Sequence, residues 1–119
     1  MPTFEKLEIW SSSIKFAIDV FNLTKSFDRA MQFSLGDQIR RASLSISSNI
    51  AEGSGAESRK DEIRFLDIAI KSCFECVSQL MFFQQLSGND VSKLIEEARV
   101  ITKRVRAYRK VRFNFYQNI

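Results

Sequence analysis

Hydrophobic residues recur along this chain at intervals of three and four in four long segments, each separated from the next by a polar break. In the first, from about Phe4 to Leu23, Leu7, Trp10, Ile14, Ala17, Ile18 and Phe21 mark one helical face. The stretch from Thr24 to Phe33 carries charge without a period and is expected to be a long, partly exposed connection. "SLGD" then looks like a capping box, with Ser34 accepting from a first-turn amide and Asp37 reaching back. From that start Leu35, Ile39, Ala42, Ile46, Ile50 and Gly53 follow at helical spacing. Ser43 to Ser47 also alternate like a strand, but over far fewer residues than the helical stripe, so the helix is the expected state. Gly53 or Gly55 is expected to supply the left-handed residue that closes it.

A second capping box, Ser58 with Asp61, opens the third segment, in which Ile63, Leu66, Ile70, Cys73, Val77 and Leu80 repeat. Phe65, Ala69, Cys76 and Phe83 lie beside them, and Phe74, Met81 and Phe82 lie further round. One helix of a four-helix domain cannot be enclosed on all sides. Such a broad apolar face therefore predicts a second buried surface, and with it self-association. "LSGND" ends the segment, with Gly88 as the stop and Asp90 as the next N-cap. Leu94, Ala98, Ile101, Val105 and Tyr108 carry the fourth stripe, from Val91 to about Phe113. The pattern thus predicts an all-α, up-down-up-down four-helix bundle that is oligomeric, with helices near 4–23, 34–53, 58–87 and 90–114 in a single domain over 1–119.

Composition agrees with this and narrows the chemistry. The 119 residues hold one proline and four glycines, too little punctuation for an all-β chain of one core. With no apolar run of about 18 residues and no leader-like start, the protein is expected in the cytoplasm, without a membrane partner. Cys73 and Cys76 form a C-x-x-C spacing, but the chain has no histidine and no second cysteine pair to complete a zinc set. They are expected to be buried thiols, with no metal and no cofactor. Catalysis is not expected either. Histidine is absent, and the run Ser43, Ser45, Ser47 and Ser48 has no activating base in view. The carboxylates Glu52, Glu57, Asp61 and Glu62 read as helix-terminal and capping charges, and "GSGAES" lacks both the preceding strand and the lysine of a phosphate loop.

Charge supplies the one asymmetry. Residues 91–119 hold eight Lys/Arg against two Asp/Glu, whereas residues 1–90 hold ten against twelve. Arg99, Lys103, Arg104, Arg106, Arg109, Lys110 and Arg112 form the basic set, and residues 99, 103, 106 and 110 share one helical stripe. Such a stripe can track a phosphate backbone, with Tyr108, Phe113, Phe115 and Tyr116 as stacking surfaces for RNA or DNA. The same cations also suit a solvated helix C-terminus or an acidic protein surface, and the sequence leaves both readings open. Arg40, Arg41, Asn49 and Glu52 are expected to be structural polar pins: Glu52 meeting Arg59, Arg64 or an arginine from another chain, and Asn49 bonding to another helix.

The stretch "LGDQIRRASLSISSNIAEGSG", followed by "DEIRFLDIA" and then Ser72, Glu75, Gln79 and Leu80, resembles the family of proteins encoded in intervening sequences of bacterial large-subunit ribosomal RNA genes. It is also similar in plan to the accessory variability proteins of diversity-generating retroelements. The resemblance spans nearly the whole chain. It implies an antiparallel four-helix bundle assembled into a ring-like homopentamer, with no established enzymatic activity. For the retroelement relatives it also implies binding to nucleic acid and to a reverse transcriptase. Two positions depart from the pattern: Ala56 stands where arginine is common, and Lys71 where glycine is common.

Overall fold

Asp28, not Ser34, starts the second long helix in the computed structural model, which describes residues 3–118. The Asp28 carboxylate accepts from the Met31 amide at 2.8 Å. Helical backbone then runs on through α2 (Arg29–Met31), a π-helical turn (Gln32–Gly36) and α3 (Asp37–Ser54). The other three rods are α1 (Glu8–Thr24), preceded by a short 3-10 turn at Phe4–Lys6, then α4 (Arg59–Ser87) and α5 (Ser92–Gln117).

The expected long connection therefore shrinks to Lys25–Asp28. Its turn is fixed by packing and by a relay of side chains. Phe27 is buried and stacks on Phe83 of α4, with ring centroids 4.8 Å apart. Gln32 Nε2 donates to the carbonyl of Thr24 at 2.6 Å, closing the end of α1, and Arg40 Nη1 donates to Gln32 Oε1 at 2.7 Å. The arginine crosses Gly36, where a Cβ would come within 3.0 Å of Nη1 and 3.3 Å of the Met31 carbonyl. With the helix already capped at Asp28, the Ser34 hydroxyl donates back to the Ala30 carbonyl at 3.1 Å instead of capping anything.

Two other junctions differ from expectation. Gly55 ends α3 at φ −95° and ψ 3°, and Gly53 is helical, so neither is left-handed. What Gly53 provides is closeness: a Cβ there would stand 3.4 Å from Phe65 Cβ and 3.5 Å from the Glu62 carbonyl. Gly88, at φ +77°, does supply the left-handed stop after α4. Ser58 caps α4 through the Asp61 amide at 3.1 Å. α5 begins after Val91, whose amide donates to Gln84 Oε1 at 2.9 Å, while Asp90 accepts from the Ser92 amide.

One apolar cluster joins all four rods, with Phe16, Ile39, Ile46, Leu66, Leu80 and Val105 almost wholly buried. The stripe expected on α3 is buried throughout. On α1 the buried face is Ile9, Ser13, Phe16, Ala17, Val20 and Thr24, rotated from the expected one, and Ile18 and Phe21 are exposed. Two hydroxyls make this rotation tolerable. Ser13 Oγ donates to the Ile9 carbonyl at 2.6 Å and Thr24 Oγ1 to the Phe21 carbonyl at 2.8 Å, so each buries its polarity inside its own helix. Cys73 and Cys76 are free thiols in this core, and burial pushes the Cys73 pKa up to about 11 and that of Cys76 higher.

Contacts between rods run in opposite numerical senses. Glu62, Asp67 and Gln84 of α4 meet Arg112, Arg109 and Val91 in turn, and Glu8 and Lys15 of α1 meet Arg104 and Glu97 of α5. Among the described residues no helix is long and apolar enough to cross a membrane.

Candidate nucleic-acid interface

Seven cations lie within fourteen residues of α5, and acids on two other helices, α1 and α4, decide which of them stand unaccompanied. Arg112 is the most deeply held. Its Nε lies 3.0 Å from Glu62 Oε2, and Glu62 is only 2% exposed at the start of α4. Tyr116, one turn on, donates its hydroxyl to the same carboxylate, which raises the pKa of the phenol. Glu62 is thus a buried carboxyl group that joins two helix ends, not the capping charge its position suggests. Arg109 Nε donates to Asp67 at 2.6 Å, one turn further along α4, with both side chains part-exposed. Arg104 Nη1 meets Glu8 of α1 at 3.3 Å on the surface.

Arg99, Lys103, Arg106 and Lys110 are exposed and have no carboxylate within 4.0 Å among the described residues. Their spacing of four, three and four places them along one side of α5, over about 16 Å at the helical rise. The basic set thus divides into three arginines paired with acids on other helices, of which only Arg112 is deeply buried, and a stripe of four.

Aromatic placement differs from expectation. Tyr108 is half-buried and packs on the core. Tyr116 is engaged by Glu62 and Arg112, Phe115 lies edge-on to Tyr116 beneath the Arg112 guanidinium, and Phe113 sits 5.7 Å under that of Arg109. These rings belong to the locked end of α5. The aromatic beside the stripe comes from α4. Phe74 is 51% exposed, and the Arg106 guanidinium carbon lies 5.0 Å from its ring centroid. Phe74 lies with Val77, Thr102 and three stripe cations around a groove of about 290 Å³ between α4 and α5. The only sequence signal for this was that Phe74 lies off both apolar stripes of its helix.

The polar pins sit on the other side of the molecule. Arg40 belongs to the relay that closes α1. Arg41 meets Asp37 at 3.4 Å on the surface of its own helix. Asn49 Nδ2 donates to the Ser45 carbonyl and hydroxyl, at 2.8 and 3.0 Å, so its bonds stay within α3. The bond that crosses helices is one step removed, from Ser72 Oγ to Ser45 Oγ at 2.9 Å. No ion pair forms at Glu52 among the described residues; Arg64 pairs with Asp61 instead.

Fold and surface together define an all-α, four-helix protein whose last helix carries a cationic stripe. The chain belongs to the 23S rRNA-intervening sequence protein family, whose model matches residues 5–107. A similar solved structure is that of a protein with unknown function from the S23 ribosomal protein family of Bacteroides thetaiotaomicron. It is 27% identical, covers 86% of this chain and 98% of its own, and superposes with a TM-score of 0.79. No curated protein matches the sequence.

Proposed function

We propose that this chain is the antiparallel, up-down-up-down unit of a homopentamer that binds RNA, without catalysis and in the cytoplasm, through the stripe Arg99, Lys103, Arg106 and Lys110. The observation that carries the reading is the division of cations on α5. A merely solvated helix end would have no reason to consign Arg104, Arg109 and Arg112 to acids on other helices while leaving the stripe clear of them. A backbone of phosphates satisfies such a stripe and releases counterions in doing so. The family's name, and the assignment of the similar structure to a ribosomal protein family, are in keeping with an RNA ligand.

Two features support self-association. Phe82 and Leu86 of α4 are 56% and 60% exposed and flank a groove toward α2 and α3 with Met31 and Leu35. In the adjoining polar groove, Gln79 Oε1 is buried and has no hydrogen-bond partner among the described residues, a state that turning the amide toward a donor from a neighbouring copy would relieve. Numerical opposition of the helix contacts supports the antiparallel arrangement.

The test is salt dependence. Wild type should bind RNA with affinity falling linearly on a log-log plot of salt, and changing the four stripe cations to glutamine should flatten that slope with helical content and assembly size unchanged. Equal binding by wild type and the fourfold variant at low salt would instead make the protein a scaffold for other proteins.

A further inference from the structure

The groove beside the stripe has a composition that phosphate contacts alone do not require. A surface meant only for a polyanion needs cations. Here an aromatic ring from a different helix is brought among them and left half-exposed, with Val77 extending the apolar surface and Arg106 lying over the ring. Resting on the RNA-binding reading, we propose that the α4–α5 groove is a base-stacking site for single-stranded RNA: Phe74 takes a nucleobase, and Arg99, Lys103, Arg106 and Lys110 hold the phosphates that flank it.

The argument is one of chemical matching. Leucine would also give apolar bulk at this position, yet only an aromatic offers a flat face to a base, and such stacking tolerates any sequence. The face is already occupied by a flat, delocalised cation. A base is an equivalent partner, and when it displaces the Arg106 guanidinium it releases that charge to a phosphate one step along the strand. The size of the groove, about 290 Å³, lies at the lower limit of small-molecule sites and suits one base, not a whole cofactor. Glu96 lines the same groove among the cations. It disfavours a phosphate at its own position and can accept from an exocyclic amine, which suits a base in the groove with the phosphates outside. Duplex RNA cannot use the site, because its bases are stacked on one another and their faces are closed.

The sequence pattern groups Phe74 with Phe82 on one apolar face, but Phe82 and Leu86 line the groove toward α2 and α3 and Phe74 the groove toward α5, so the two surfaces can be altered separately. Phe74→Leu keeps apolar bulk and removes the aromatic face. It should weaken binding of a single-stranded homopolymer roughly 5- to 150-fold, as expected for loss of one stacked base. Duplex RNA of the same length and inorganic polyphosphate should bind as to wild type, sedimentation should be unchanged, and Phe74→Tyr should restore affinity. Phe74→Trp should show fluorescence quenching with single strands but not with polyphosphate, measured against the Trp10 background of wild type. Unchanged single-strand affinity in Phe74→Leu, with a normal salt slope, would overturn the stacking site and leave the RNA-binding reading intact. A change of assembly size in Phe74→Leu would make the ring an interface residue and overturn it too. Polyglutamate competing as well as single-stranded RNA would point to an acidic protein ligand, and failure of wild type to bind any RNA would remove both readings.

Discussion

Removing one partner of the Glu62–Arg112 pair should destabilise the protein far more than removing both. Glu62 is 2% exposed and the Arg112 side chain 15%, so the carboxylate is the more desolvated member. In Arg112→Met the carboxylate stays buried with only the Tyr116 hydroxyl to meet it, a loss on the order of 3 to 5 kcal/mol for an orphaned buried charge. In Glu62→Leu the guanidinium is left, but it sits on a flexible stem near the end of α5 and can turn to water, so the loss should be nearer 2 kcal/mol. The double variant leaves no charge behind and should lie within about 1 kcal/mol of wild type, with a coupling of several kcal/mol. By contrast, Arg109–Asp67 is shorter, at 2.6 Å, but its side chains are 33% and 45% exposed. Water competes there, and its loss should cost no more than about 1 kcal/mol. Urea unfolding followed by helical circular dichroism, at one fixed protomer concentration, measures all five proteins. If Arg112→Met and Glu62→Leu each cost less than about 0.5 kcal/mol, or if Asp67→Ala costs more than either, burial is not what sets the strength of these pairs.

Asp28→Ala should lose about 1 kcal/mol as an N-cap while Ser34→Ala changes little, and the reverse order in denaturant midpoints would restore a helix start at Ser34. Because burial raises the Cys73 thiol from 9.0 to about 11, its contribution to stability is complete below pH 9 and is lost as pH rises toward 11, by on the order of 3 kcal/mol. Cys73→Ala should lack that part of the alkaline loss, and parallel stability curves for the two proteins between pH 9 and 11 would refute this. Phe82→Glu should shift the assembly toward monomer in equilibrium sedimentation, and an unchanged mass would remove the α4 face toward α2 and α3 as an interface.

Helix identity was legible in the sequence wherever apolar residues and burial coincide, as on α3, where every residue of the expected stripe is buried. It misled on α1 because residue names there do not report burial. Ser13 and Thr24 bond within their own helix and go inside, while Ile18 and Phe21 remain outside. The second helix start was missed because Thr24–Phe33 carries no apolar period, and what makes its latter part helical from Asp28, the Phe27–Phe83 stack and the Gln32–Arg40 relay, is tertiary. At the candidate site the four-residue stripe follows from spacing alone. The fate of the other three arginines does not, since their acids lie 96, 42 and 50 residues away in sequence. Nor could spacing within α5 show that the exposed ring beside the stripe belongs to α4.

Locking the end of α5 also limits what one chain can do with the stripe. Four cations over about 16 Å can neutralise at most about four phosphates of a single strand, so one chain alone should give a log-log salt slope of no more than about 3. Contacts that few dissociate readily at physiological salt, and repetition around a ring is the way to hold RNA there without base specificity. The slope therefore counts engaged stripes. Wild type should exceed the one-chain limit of about 3, and the monomerised Phe82→Glu protein should fall to or below it although every residue of its stripe is intact. A slope that stays the same while the assembly falls apart would mean that RNA touches one protomer only, and the self-association proposed here would then have no part in binding.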